Sequence, residues 1–384
     1  MTGVIGPEPG RLFSIFQELL RIDSEPGKEG ELRDYVKGFC SGIGLVTCED
    51  LAGEVTGGES GNLVIRVPSG APSTEPPIIL NAHMDTVAPG EGVVPVEEDD
   101  RFTSAGDTVL GADDKAGVAA ILAAVECIMG AGTGHRALEV LFTVQEEPGL
   151  IGAKNLDRSL LEGRWGLVLD GSGGVGGIVV EAPSRDRVKF TVRGRSAHAG
   201  VEPEKGTNAI ACAAEAIAGL SLGRLDERTT ANIGIINGGR ACNIVPDLVV
   251  VEGELRSLSE EQLEEERRVM VDRFRRVAAQ RGCEVEVQVE RSFSRFKIDT
   301  SSVPVTTLCG AMEECGLEPW FDRTGGGSDA NVFNSEGLEM VTLNVGLANA
   351  HSKEEFILKD DLLNVSRILV RLALMDAPLE GEGR

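Results

Sequence analysis

The stretch PIILNAHMDT (residues 77–86) runs a short apolar segment directly into a histidine and an aspartate. Four further stretches carry the same kinds of side chain: GADDKAG (111–117), TVQEEPG (143–149), LVLDGS (167–172) and ANAHSKEE (348–355). Short runs rich in Leu, Ile and Val, such as PIILNA, LEVLFTV (138–144), GLVLD (166–170) and MVTLNVG (340–346), are the pattern of strands buried on both faces of a parallel sheet. In an open α/β sheet, ligands gather at the carboxyl ends of the strands. His83, Glu146, Glu147 and Asp170 follow or end such runs, and His351 lies shortly beyond one. Asp113 occupies a glycine-flanked turn ahead of a helical pattern. These residues, with Asp85, are therefore expected around one cleft.

Carboxylates that converge to ~4 Å repel by roughly 4 kcal/mol per pair at an effective dielectric near 20. Two divalent cations remove that repulsion. Mixed imidazole and carboxylate donors suit zinc, with cobalt or manganese as alternatives. His83 and Asp85 stand two apart, so in extended chain they face the same way. The Asp85 carboxylate is then expected to accept the second imidazole N–H of His83 and hold the ring for its metal. Neighbouring Glu146 and Glu147 point apart, which leaves one to bind metal and one as a free base. A divalent cation lowers the pKa of water towards about 7, within reach of such a carboxylate. Taken singly, each cluster has a plainer reading: a loop histidine, a solvated acidic pair, or a helix N-cap. Their conjunction decides. Of the four histidines, two fall in these clusters and a third, His198, in the unusual loop SAHAG. The fourth, His135 in GTGHR, reads as a solvated turn residue.

The fold class expected is α/β: a mostly parallel sheet with helices on both faces, plus an inserted α+β domain. Strand-like and helical patterns alternate to about residue 184 and resume after about 298, with NLVIRV (62–67) a further buried strand and LLNVSRILVRLAL (362–374) a closing helix. Between them, RVKFTVRG (187–194), KGTNAIACAAEAIAGL (205–220), ANIGIING (231–238), LVVVEGELRS (248–257), a helix over 259–282 opened by a Ser259–Gln262 capping box, and CEVEVQVERS (283–292) give the order β-α-β-β-α-β of a ferredoxin-like unit. Residues 1–184 and 298–384 are read as one domain and 185–297 as the insertion.

Bulk properties narrow the function. A chain of 384 residues suits two cores. The net charge of −25 argues against nucleic acid and anionic membranes as partners. No stretch reaches the ~20 apolar residues of a membrane span, and MTGVIGPEPGRLF lacks the pattern of a secretory signal. The eight cysteines are scattered without a CxxC pair and read as reduced, mostly buried thiols of a cytoplasmic protein, not as a structural zinc site. GSGGVG (171–176) matches a dinucleotide fingerprint, but IVVEAPS follows it and reads as strand where a helix is required. There is no Walker loop and no G-x-S-x-G elbow, and no histidine neighbours Cys242 in sequence to make it a nucleophile.

At these residues the chain resembles the dizinc exopeptidase family that includes peptidase T, glutamate carboxypeptidase, succinyl-diaminopimelate desuccinylase and aminoacylase. The nearest likeness is to peptidase T-like proteins, through GADDKAG, VQEEPGLIGAK (144–154), GRSAHAGVEPEKGTNAI (194–210), GGRACNIVPD (238–247) and GGGSDANVF (325–333). The resemblance spans essentially the whole chain. It implies that Asp113 bridges two zinc ions, His83 and Asp170 complete one site, and Glu147 and His351 complete the other. It implies that Asp85 orients His83 and that Glu146 is the general base and acid. It also implies a cis Asp113–Asp114 peptide, an oxyanion role for His198, substrate contacts from Asn243 and Arg256, and a substrate loop containing Gly326 and Gly327. The expected activity is hydrolysis of short peptides by a tripeptide aminopeptidase, a homodimer joined through the inserted lid. An N-acyl-amino-acid amidohydrolase or carboxypeptidase of the same framework is the nearest alternative, and a non-catalytic assembly relative the alternative from another class.

Overall fold

The computed structural model of the chain describes residues 6–70, 72–132 and 134–375. The first five residues and the last nine, which belong to the N-terminal reading and to the ends of the first domain above, lie outside the described residues. The chain divides into two compact units: residues up to Val180 with Ile298–Arg323 and Ser328 onward, and Glu181–Lys297 with Thr324–Gly327.

The first unit is built on a large mixed sheet. Its centre is parallel: Leu138–Thr143 pairs with Ile78–His83, that strand with Trp165–Ser172, and that one with Glu339–Ala348. Every residue of Ile78–His83 and Leu138–Thr143 is buried, as their unbroken apolar runs require. Leu63–Val67, read from its composition as one more buried parallel strand, instead runs antiparallel to Leu138–Thr143. A run buried on both faces has the same composition in either direction, so direction was not legible. Antiparallel strands extend the flanks: Thr47–Glu49 on one side, and Phe356–Leu358, Arg101–Ala105 and Val94–Glu97 on the other. The helix Ala112–Ala131 is apolar nearly all round and buried along most of its length, because it packs on the central strands and is covered in turn by Pro9–Leu20 and Lys359–Leu374.

The second unit is an antiparallel sheet with two helices. In chain order its elements are Ser184–Arg193, Ala209–Ala218, Thr229–Gly238, Leu248–Ser257, Glu260–Arg281 and Glu284–Phe293, and the strands lie in the spatial order fourth, first, third, second. This is the ferredoxin-like arrangement. The first helix begins later than its composition suggests. Asn208 caps it by accepting from Ala211 N, and Thr207 pairs with Arg195 in a β-bridge. Ser259 Oγ accepts from Gln262 N at 3.3 Å, but the Gln262 side chain turns to Glu266, so only half of the capping box forms. Phe190 and Phe274 stack with centroids 3.8 Å apart at the centre of this core.

Two minor expectations need correction. His135 is buried, not solvated, with Nδ1 3.0 Å from the Arg136 carbonyl. Only Cys40, Cys212 and Cys283 are buried, while Cys48 and Cys242 are exposed; all eight are unpaired thiols.

Replacing Phe274 by Ala should destabilise the second unit by about 3–5 kcal/mol, since it removes a buried ring and leaves a cavity. Denaturant unfolding followed by a probe in that unit checks this; a loss below about 1 kcal/mol would contradict the packing described.

Candidate metal centre

The site lies at the carboxyl edge of the parallel strands. His83 is the last residue of Ile78–His83, and its Nε2 stands 3.3 Å from Asp113 Oδ1. Asp113 Oδ2 and Glu147 Oε1 each stand 3.2 Å from His351 Nε2. One donor atom from each of His83, Asp113 and Glu147 lies within 4.8 Å of the other two. Four of the five expected ligands therefore meet directly. Asp170, at the end of its strand, faces the same group closely enough that the charges of Asp113 and Glu147 act on it.

The backbone at the site is special. Asp113 and Asp114 are joined by a cis peptide and lie outside helical geometry, so the helix proper starts after them. Gln145 and His351 have φ of 49° and 63°, in the left-handed region that non-glycine residues rarely occupy. Such conformations persist where surrounding contacts over-determine them.

Those contacts come from buried carboxylates that accept backbone N–H groups. Asp85 is the clearest case. Its carboxylate was expected on the His83 imidazole; instead it accepts from Glu146 N at 2.8 Å and Glu147 N at 3.1 Å. His83 Nδ1 bonds the Asp85 backbone carbonyl at 2.8 Å, with the carboxylate at 3.6 Å. A carbonyl orients the ring as well as a carboxylate does, which frees the carboxylate to fix the next loop. Asp114 accepts from His83 N at 3.3 Å and from Gly117 N at 3.1 Å, so it is also the cap of its helix. Glu355 accepts from Gly111 N at 2.8 Å and Asp113 N at 3.0 Å, tying the His351 loop to the Asp113 turn. Asp329 is buried and accepts from Thr143 Oγ1 at 2.5 Å. Neither Glu355 nor Asp329 was singled out from sequence. Nothing in ANAHSKEE distinguishes Glu355 from Glu354, and GGGSD drew attention to its glycines rather than its aspartate.

Electrostatics follow from burial and crowding. Burial pushes Glu146 well above the ordinary carboxyl range, and Asp170 pushes it further. Asp170 is raised by burial and then by Asp113. Burial alone would raise Asp113, but its contacts with His351 and His83 outweigh this and hold it below the ordinary range. Asp113 and Glu147 raise His351 to about 10. Glu147 Oε1 is buried with no satisfying hydrogen-bond geometry, despite the nearby His351 nitrogen. A buried carboxylate oxygen left in this way, beside two imidazoles and further carboxylates, fits divalent cations.

The remaining candidates fall in the second unit. His198 is exposed, accepts from Gly200 N at 3.2 Å through Nδ1, and forms a β-bridge with Ile244. Asn243 is exposed beside it, its carbonyl accepting from Ala199 N at 2.9 Å. Arg256 is held by Glu254 at 2.9 Å and donates to the Gly325 carbonyl at 3.1 Å. Gly326 N donates to Thr324 Oγ1. Gly327 is closed to larger residues, because a Cβ there would lie 2.2 Å from the Phe293 ring.

The model of the peptidase family M20/M25/M40 matches residues 79–375. The uncharacterised protein YqjE of Bacillus subtilis is 41% identical over 362 residues, spanning 94% of this chain and 97% of that protein. The chain thus belongs to the peptidase family M20/M25/M40, and it is a metallopeptidase. Two crystal structures are similar throughout: the aminopeptidase PepT of Bacillus cereus (39% identity, TM-score 0.86) and a tripeptidase of Staphylococcus aureus (37%, 0.90). Each match covers 96% of this chain and 98% of the other. A Bacillus subtilis protein described as a dinuclear metal-binding peptidase of the same family shares the fold at 16% identity and TM-score 0.72.

Two outcomes are expected. Cations must displace the proton that Asp113 and Glu147 hold on His351, so metal uptake releases protons and weakens as pH falls. Calorimetry in buffers of differing ionisation enthalpy measures this, and uptake without proton release would refute it. Glu355→Ala should weaken metal affinity about 10–100-fold; chelator competition would show an unchanged affinity if Glu355 does not fix the Asp113 turn.

Proposed function

We propose that this chain is a tripeptide aminopeptidase whose site holds two divalent cations, zinc in the first instance, with cobalt or manganese as alternatives. The observation that carries this reading is the meeting of His83, Asp113, Glu147 and His351 beside a buried glutamate, Glu146. The full-length likeness to an aminopeptidase and a tripeptidase supplies the substrate class.

In this reading Asp113, His83, Asp170, Glu147 and His351 would hold the two cations, His83 and Asp170 one, Glu147 and His351 the other, and Asp113 both. When bound, the cations polarise the scissile carbonyl and acidify the attacking water. Glu146 takes the water's proton and returns it to the departing amine. Without cations, burial and the charge of Asp170 favour its protonated form. Asp85 keeps Glu146 aimed by holding its amide and the next one. His198 stabilises the oxyanion, and Asn243, Arg256, Gly326 and Gly327 contact the rest of the substrate. Residues 185–297 serve as a lid whose closure excludes water.

We further propose a cytoplasmic homodimer joined through that lid. Two features support pairing: Ile235 and Ile236 are exposed on Thr229–Gly238, and among the described residues only Gly223–Arg224 covers the outer edge of that strand, at Thr230 and Ala231. No described helix is long and apolar enough to cross a membrane.

Glu146→Gln should lower kcat by a factor on the order of 10³ or more while metal content stays at the wild-type level. Activity close to wild type in that variant would overturn the role of Glu146. Metal-loaded enzyme should cleave Ala-Ala-Ala and not its N-acetyl form. Preference for the blocked peptide would replace the aminopeptidase reading with a deacylase or carboxypeptidase, and a protein that binds no metal ion when supplied with one and hydrolyses no peptide would favour a non-catalytic role.

A further inference from the structure

The loop that carries Glu146 and Glu147 is gripped from a residue far away in sequence. Glu29 is fully buried at the start of the helix Gly30–Gly42, outside the cluster of cation donors. Its Oε1 accepts from Gly27 N at 2.9 Å and from Gln145 N at 3.0 Å. Asp85 accepts from the next two amides, those of Glu146 and Glu147. Three successive backbone N–H groups are thus each bound by a buried carboxylate.

The middle of this arrangement is under conformational demand. Gln145 sits at φ 49°, where a side chain is disfavoured. Three of its polar groups are tethered. Its N–H goes to Glu29, its side-chain amide donates to Thr56 Oγ1 at 2.7 Å, and its carbonyl accepts from Ile151 N at 2.9 Å. Gly58 leaves the space for that amide, since a Cβ there would lie 2.6 Å from Gln145 Nε2. The left-handed turn at Gln145 sets the direction in which the chain presents Glu146 and Glu147. If the Glu29 acceptor were lost, a buried N–H would have no partner and the turn would relax towards negative φ.

We infer that Glu29 is a positioning residue for the general base: by holding the Gln145 amide it maintains the left-handed turn that aims Glu146 at the reacting atoms. The inference rests on the assignment of Glu146 as base. Its demand on Glu29 is for an acceptor oxygen, not for a charge. Glutamine keeps that oxygen, methionine keeps the volume without it, and glycine at 145 adopts the left-handed turn at no steric cost.

The experiment compares metal-loaded wild type, E29Q, E29M, E29D and the double variant E29M/Q145G. Two readouts are taken: kcat and KM on Ala-Ala-Ala, and backbone hydrogen exchange of the 144–150 segment by mass spectrometry. E29M should lose about 10–100-fold in kcat with little change in KM, the size expected for a base misplaced by about 1 Å. Exchange at 144–150 should accelerate in parallel. E29Q should stay near wild type in both, E29D should fall between, and Q145G should restore most of what E29M loses. A role in packing alone would lower stability without splitting kcat from KM, and Q145G would not rescue it. Wild-type kcat and exchange in E29M would overturn the inference, as would a loss that E29Q shares or that Q145G leaves in place. Where E29M does not fold, E29D with and without Q145G gives the same decision. If the wild type itself cleaves no peptide, the peptidase reading fails on its own, and the exchange comparison still decides whether Glu29 holds the turn.

Discussion

The first unit is organised around one electrostatic problem: too many carboxylates at the carboxyl edge of one sheet. Asp85, Asp113, Asp114, Glu146, Asp329 and Glu355 are all buried, and Asp170 lies among them. Taking a single charge out of water costs several kcal/mol when nothing compensates it. The chain answers in two ways. Carboxylates on the outside of the group bind backbone N–H groups: Asp85 those of Glu146 and Glu147, Asp114 those of His83 and Gly117, Glu355 those of Gly111 and Asp113. The inner ones face imidazoles and each other, which is an arrangement that divalent cations complete.

These two answers are linked. A carboxylate that binds two amides fixes the direction of the loop that owns them. The unusual backbone at Asp113–Asp114, Gln145 and His351 occurs where those loops meet the site. The placement of the candidate donors and of Glu146 therefore depends on buried carboxylates bound to backbone amides. This gives the parallel sheet its role: it brings strand ends from distant parts of the chain to one edge, and the buried carboxylates then bind the loop amides there. Membership of the peptidase family M20/M25/M40 and the likeness to PepT and a tripeptidase agree with such a site.

The second unit follows a different logic. Its core is apolar, centred on Phe190 and Phe274, and its helices start and stop at ordinary capping residues, Asn208, Ser259 and Gly282. Some of its charges pair across neighbouring strands, as Arg185 does with Glu254. Unlike the first unit, it concentrates no group of buried metal donors among its described residues. His198 and Asn243 are presented from exposed loops instead.

Residue type and periodicity were enough to read the parallel centre of the sheet, the β-α-β-β-α-β order of the second unit, and the residues that gather at the strand ends. Those features depend on which side chains are buried in an element of known period, and a period of 2 or 3.6 is written along the chain. Strand direction was not legible, as Leu63–Val67 shows, because a fully buried strand looks alike both ways. Nor were the partners of buried carboxylates. Glu29, Glu355 and the true acceptor role of Asp85 depend on backbone N–H groups, which every residue but proline carries and no letter marks. Sequence thus determined which chemistry is present and roughly where each element lies. Tertiary structure alone decided which carboxylate holds which amide, since that pairing is made through space between loops separated by as many as 244 residues.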